Sequence, residues 1–317
     1  MIKGQKILGA LVVAMSVSTQ AYSADFNLTS DTVKIELKQT PKNIAVYDLS
    51  ILDTLNALNV QANIIPETTY QGTLKNYQNN KFTKAGTLFE PDLNQLKQLK
   101  PDLIFIGGRS AKNLDTLTQI APTVNLSADT THYMDDLKKR TQVLAQAFHK
   151  EKIANKKISE IESVQKNLKV KTQGKSALML FAVSDNFMPH AENDRFGFVY
   201  EFAGLKSVLP LTDKNATTTR PEAGSPEAIA QAKKNSEILQ KAVEQNPDYI
   251  IVLDRGAVNT QKYTAKENIL KHEVLSKAQA LKNQNVIFVD ADAWYLTGAG
   301  LDNTLFMLNE LSKAVEK

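Results

Sequence analysis

One pattern is written twice in this chain: Lys100-Pro101-Asp102-Leu103-Ile104-Phe105-Ile106-Gly107-Gly108-Arg109, and again Asn246-Pro247-Asp248-Tyr249-Ile250-Ile251-Val252-Leu253-Asp254-Arg255. The proline ends whatever helix precedes it, and the aspartate sits in the turn. The unbroken apolar run that follows is a strand buried on both faces, as in parallel sheets covered by helices. Each arginine therefore emerges where its strand ends. Ligands of open α/β sheets lie beyond the carboxyl ends of the strands, so Arg109 and Arg255 are expected to look into one cleft from opposite lobes. The alternative is that each pairs with a local carboxylate.

The remaining chain fits this frame. Short apolar runs at Ile44 to Tyr47, Leu103 to Ile106, Ala177 to Val183, Tyr249 to Leu253 and Val286 to Val289 read as strands. They alternate with segments of helical period at Leu49 to Leu58, Leu93 to Leu99, Met134 to Phe148, Ile238 to Gln245 and Leu301 to Val315. Residues 150–169 carry Ala154, Ile158, Ile161, Gln165 and Leu168 at near-helical spacing, with no Gly or Pro. They read as one long helix joining an N-terminal lobe (24–149) to a C-terminal lobe (170–317), or as a surface helix of one larger domain. The expected fold is α/β: two Rossmann-like lobes with mostly parallel sheets, and a ligand cleft between them.

Lys3, Lys6 and the apolar stretch Ile7 to Val17, too short to span a bilayer, read with Ala21-Tyr22-Ser23 as an export signal over residues 1–23. No other run is apolar enough for a span. The chain contains no cysteine, which excludes disulfides, thiolate metal sites and cysteine nucleophiles, and gives no site for a lipid anchor. At 317 residues and 42% hydrophobic content, core packing can carry the stability. The formal charge of +4 falls to +2 without Lys3 and Lys6, too mild for nucleic acid as a partner. Runs such as Lys138-Lys139-Arg140 read as solvated surface.

Five of the 38 basic residues are arginine. A chain that uses lysine for surface charge reserves its arginines for bidentate contacts to anionic oxygens. Arg195, in Asp194-Arg195-Phe196-Gly197, joins Arg109 and Arg255 as a third candidate. Three guanidinium groups around one cleft call for anionic cargo. The only tryptophan lies beside a tyrosine in Asp290-Ala291-Asp292-Ala293-Trp294-Tyr295-Leu296-Thr297-Gly298, which reads as a small-residue loop before the last helix. A phenolate is a hard oxygen donor suited to iron(III), and an indole offers a flat face to an aromatic ligand. On spacing alone, the pair reads equally as lobe packing. The four histidines, His132, His149, His190 and His272, are dispersed and show no metal-ligand spacing; His190 lies nearest an arginine candidate. No nucleophile elbow, phosphate loop, zinc-protease or dinucleotide signature occurs, so nothing argues for an enzyme.

In order along the chain, Pro41 to Asp48, Leu52 to Leu55, Phe89-Glu90-Pro91-Asp92-Leu93, the two repeated stretches, Arg195-Phe196-Gly197 and Trp294-Tyr295-Leu296 resemble the periplasmic siderophore-binding proteins of ABC importers. That is the helical-backbone class, similar to the enterobactin-type and anguibactin-type ferric-catecholate receptors. The resemblance implies two α/β lobes joined by a long helix, with a cleft that closes little. It implies a periplasmic monomer that carries iron(III) only inside its siderophore, has no intrinsic cofactor, and delivers cargo to an inner-membrane ABC permease. Haem, a corrinoid or another anionic chelate is the alternative cargo. Arg109, Arg195 and Arg255 would hold the anionic complex, with Tyr47 and Trp294 also in the ligand-binding set. Tyr295 would bind iron where the siderophore leaves a site open. Relatives supply a second iron ligand from a loop histidine. The matching stretch here, Asp213 to Ser225, has none and offers Arg220 instead, leaving His190 as a substitute only if its loop folds inward. One acidic residue per lobe would meet the permease, Glu90 (beside Asn94) and Glu237 (over Glu244).

Overall fold

The computed structural model describes residues 26–213, 222 and 224–316. The expected leader, 1–23, and Arg220 lie outside the described residues. An antiparallel hairpin, β1 (Phe26–Thr29) and β2 (Lys34–Leu37), comes first. The first sheet is then built in the order β3 (Ile44–Val46), helix α1 (Leu49–Ala57), β4 (Ile64–Glu67), β5 (Thr83–Thr87), α2 (Leu93–Leu99), β6 (Leu103–Ile106), α3 (Leu114–Thr118) and β7 (Thr123–Asn125). Its spatial order is β5-β4-β3-β6-β7, and every pair is parallel. Helix α4 (Tyr133–Ala147) and the 21-residue helix α5 (Glu151–Lys171) lead to the second half.

There β8 (Ser176–Val183), β9 (Asn186–His190), α6 (Phe198–Ala203), β10 (Lys206–Ser207), α7 (Pro226–Glu244), β11 (Tyr249–Asp254), α8 (Ala265–Lys271), α9 (Gln279–Lys282) and β12 (Val286–Phe288) precede the final helix α10 (Leu301–Ala314). The order is β10-β8-β11-β12, all parallel, and β9 folds back antiparallel on β8. Helix α7 begins twelve residues before Ile238. Ser225 caps it through the Ala228 amide at 3.1 Å, and Pro226 follows at its first position. Its exposed first half has no apolar stripe to betray it.

Both sheets reverse strand order beside the duplicated strand, between β3 and β6 in one and between β8 and β11 in the other. Such a switch point opens a crevice at the carboxyl ends. The two copies are built alike. Lys100 and Asn246 take positive φ, 47° and 50°, ahead of their prolines. Asp102 accepts from the Lys42 and Asn43 amides at 2.9 and 2.8 Å, and Asp248 from the Ser176 amide at 2.8 Å. Each aspartate thus pins the amino end of the central strand next to it.

The halves are welded rather than hinged. One continuous apolar core runs from α1 and α4 through α6 to α10. Tyr133 of α4 stacks on Phe198 of α6 (centroids 4.6 Å apart), and Phe198 stacks on Trp294 (5.5 Å). Helix α10 has no capping side chain of its own; Asp53 and Thr54 of α1 accept from its Asn303 and Leu301 amides at 3.0 and 3.2 Å. Gly300 lets them approach, since a β-carbon there would sit 2.5 Å from an Asp53 oxygen. Burial pushes the Asp53 carboxyl up to about 6 despite bonds from Thr73 and Asn303. Arg140 is a correction to the reading of 138–140 as solvated surface. It is 5% exposed, bonds Asp136 at 2.7 Å, and donates to the Ala299 carbonyl at 2.8 Å. Among the described residues, no helix is long and apolar enough to cross a membrane.

Candidate functional site

The stretch expected to be a loop before α10 is a π-helix, Asp292–Thr297, a wide turn often found where function needs a side chain re-aimed. Gly298 closes it with a five-residue bond to the Ala293 carbonyl at 2.8 Å. Widening leaves carbonyls that side chains from elsewhere must satisfy. Asn303 donates to Ala293 and Gly298, and Arg109, from the other lobe, donates to the Tyr295 and Leu296 carbonyls at 2.6 and 3.1 Å. Asp292 accepts from the Asn259 amide and the Gln261 side chain at 2.8 and 2.6 Å.

Tyr295 projects from this turn into the cleft between the lobes, a cavity of about 230 Å³ bounded by Asp48, Gly108 and Arg109 on one side and Arg195, Phe196 and Tyr295 on the other. A larger concavity of about 590 Å³ lies between Ser30 to Val33 and α4 and is lined by none of the three arginines. The Tyr295 ring lies flat on Phe181 of β8 (5.8 Å, 11°). The guanidinium carbons of Arg109, Arg195 and Arg255 stand 5.8, 5.1 and 4.6 Å from its centroid. The structure therefore brings these three arginines, spread across the sequence, around one phenol. Burial alone would raise that phenol. The bond from Arg255 and the charges of Arg255, Arg195 and Arg109 outweigh it and hold Tyr295 below its ordinary value. Burial lowers Arg109 most, with Arg195 and Arg255 adding to it and Asp48 opposing. Asp48 caps α1, and Gly107 makes room for it, since a β-carbon there would lie 2.0 Å from its carboxylate.

Other expected site residues are placed elsewhere. Tyr47 is fully buried between the first sheet and α2, where its hydroxyl donates to the Ala85 carbonyl at 2.5 Å, and burial pushes its phenol up with help from Asp92. It has no face toward cargo. Trp294 stands in the wall of the cleft cavity, but at 3% exposure it gives cargo little surface: it packs on Phe198 and Phe202, and its indole N–H donates to Glu310 at 2.8 Å. His190 packs edge-on against Phe181 and Phe196, the rings that flank Tyr295, with its Nδ1 unpaired. Burial lowers it, Arg195 adds to that, and Asp194, 3.9 Å away, opposes. Glu90 and Glu237 are exposed, Glu90 beside Lys112 at 3.3 Å. The side chains that bracket the π-helix and the turn after it were missed, Asn303 and Arg140 on backbone carbonyls and Glu310 on two N–H groups, because no local pattern marks such bonds.

Among curated proteins, the chain is 27% identical to the petrobactin-binding protein YclQ of Bacillus subtilis, covering 97% of each chain. It is also 27% identical to the ferric-anguibactin-binding protein FatB of Vibrio anguillarum, over 96% of this chain and 92% of that one. Among solved structures, the siderophore-binding protein BauB, bound to a complex of two acinetobactin molecules and ferric iron, superposes with a TM-score of 0.77. The two are 25% identical, over 91% of this chain and 98% of that one. A family model described as "Periplasmic binding protein" matches residues 44–293, all of both five-stranded sheets and the π-helix entry. The chain belongs to the periplasmic binding protein family.

Proposed function

We propose that this protein captures an anionic iron(III)-siderophore, catecholate or mixed-ligand, between its lobes and delivers it to an inner-membrane ABC permease. One observation carries the reading: three arginines from three separate elements converge within 6 Å of one cleft phenol. A positive, partly desolvated site of this kind selects anionic chelates and speeds their capture. The names of YclQ, FatB and BauB support the same cargo class. Arg195 and Arg255 hold the complex from the second lobe, and Arg109 from the first. Tyr295, kept acidic by them, supplies a hard oxygen where the siderophore leaves iron a free position. Iron enters only as cargo, the leader 1–23 directs export to the periplasm, the protein works as a monomer, and Glu90 and Glu237 face the permease.

A titration tests this: quenching of the single tryptophan by ferric petrobactin, ferric anguibactin, ferric acinetobactin, haem and a corrinoid. Tight quenching by the ferric siderophores, with a phenolate-to-iron absorption band that Tyr295→Phe removes, is the expected result. Quenching by haem or the corrinoid alone would assign other cargo, and a band that survives Tyr295→Phe would place the iron donor elsewhere.

A further inference from the structure

We propose that Glu310, on the outer lobe-bridging helix α10, is a positioning residue for Tyr295: its carboxylate sets the π-helix that aims the phenol into the arginine cluster. It touches neither the cleft nor the arginines. Its two oxygens grip the π-helix entry at two points. Oε1 accepts from the Asp290 amide and Oε2 from the Trp294 indole N–H, both at 2.8 Å. Between those points, Asp290 caps the turn by accepting from the Ala293 amide at 2.8 Å. Tyr295 is the next residue after the indole, so the grip fixes the peptide from which the phenol springs.

Both converging groups are donors, so the bracket needs two acceptor oxygens. A protonated carboxyl or a glutamine presents one good acceptor and a group that must donate, and so loses one arm. Burial holds the Glu310 carboxyl up to about 7, against the bonds from Trp294 and Asp290 and with the Asp290 charge adding to the rise. The other ionisable groups around it are Asp292, Tyr263 and Lys266 on neighbouring segments and Lys313 on α10 itself. Such a carboxyl binds its proton more tightly in the native chain than in the unfolded one. Its contribution to stability is therefore full below its ordinary value of 4.5 and is lost as pH rises to about 7. The bracket behaves in the opposite sense and is complete only above that point. Trp294, the only tryptophan, reports it directly.

The proposal rests on the assignment of Tyr295 to the binding cleft, and two ligand-free titrations decide it independently of cargo. In the wild-type chain, Trp294 emission should change from about pH 5 to about pH 9 with a midpoint near 7, and in Glu310→Gln it should stay flat. The Tyr295 phenol, read by ultraviolet difference absorbance against Tyr295→Phe, should titrate closer to its ordinary value in Glu310→Gln. With ferric petrobactin as probe, the same variant should bind about fivefold more weakly at alkaline pH and equally at acid pH. An identical Tyr295 titration in wild type and in folded Glu310→Gln would overturn the proposal. Should Glu310→Gln fail to fold, Trp294→Phe, which removes the indole arm of the bracket, takes its place and should move the Tyr295 titration in the same direction; an unmoved phenol there would overturn the proposal. Should neither ferric petrobactin, ferric anguibactin nor ferric acinetobactin bind the wild type, the cargo assignment fails while the two titrations still test Glu310.

Discussion

Arg109 and Arg255 occupy the same place in two copies of one pattern, each beyond a duplicated strand at a switch point, yet they do different work. Arg109 follows two glycines, the first of which admits Asp48 against the backbone. It turns inward, half-buried, and fastens two carbonyls of the opposite lobe. Arg255 follows Asp254 in place of a glycine. That aspartate is fully buried and accepts from the Gly256 and Ala265 amides at 2.9 and 2.8 Å. Its neighbour is left exposed, with its guanidinium over the Tyr295 ring and within bonding reach of the hydroxyl. A repeated strand fixes where a charge emerges, and the residue before it decides whether that charge builds the site or serves it.

If that division holds, truncating Arg109 has the largest effect. Arg109→Ala removes one charge from the cleft and leaves the Tyr295 and Leu296 carbonyls short of a partner. Cargo binding should weaken by about 2 to 5 kcal/mol, the usual range for losing one partner of a desolvated charge pair. Stability should fall too, by about 1 to 3 kcal/mol for the unsatisfied carbonyls. A calorimetric titration and a denaturant melt measure the two. Lost affinity without lost stability would make Arg109 a simple cargo contact and erase the contrast with Arg255.

Arg255→Ala should weaken cargo binding by about 2 kcal/mol, the lower end of the same range, because the group is exposed before cargo arrives. Stability should stay within about 0.5 kcal/mol of wild type, as for other exposed positions. The Tyr295 phenol should move back up, since the bond and the nearest cation that lower it are gone. Added salt should erode wild-type affinity more than that of the variant. Equal salt dependence in both would remove Arg255 from the cargo field.

What the sequence disclosed follows from the range over which its signals act. Leu103–Ile106 and Leu93–Leu99 were legible to the residue, because an apolar run between a proline and glycines, and a capped helix ended by Lys100-Pro101, are local facts. Arg109 and Arg255 were legible because strand ends point to cleft residues in any open α/β sheet, and Arg195 because arginine is scarce in a chain that uses lysine for its surface charge. The π-helix was not, since its widened turn is held by Arg109 from the other lobe and by Asn303 and Glu310 from the helix that follows, bonds that no local pattern marks. Nor was the fate of Tyr47: a tyrosine at the end of a buried strand reads as a cleft residue until α2 is seen to cover it.

Tyr47→Phe is the mildest of these tests, and it separates burial from recognition inside the first lobe. The ring stays, so the packing around it is kept, and only the hydroxyl that donates to the Ala85 carbonyl is lost. That carbonyl is not orphaned, because the Asp92 amide also reaches it at 3.3 Å. The cost should therefore be about 1 kcal/mol, one ordinary hydrogen bond, and not the larger penalty of an empty acceptor. Asp92 caps α2, so the loosening should stay near Glu90 and leave the arginine cluster untouched. Ferric-siderophore affinity should match wild type while the denaturant midpoint falls slightly. A loss of affinity comparable to that of Arg255→Ala would mean that Tyr47 reaches the cleft through a rearrangement of β3 and α2. The first lobe would then contribute cargo contacts beyond Arg109.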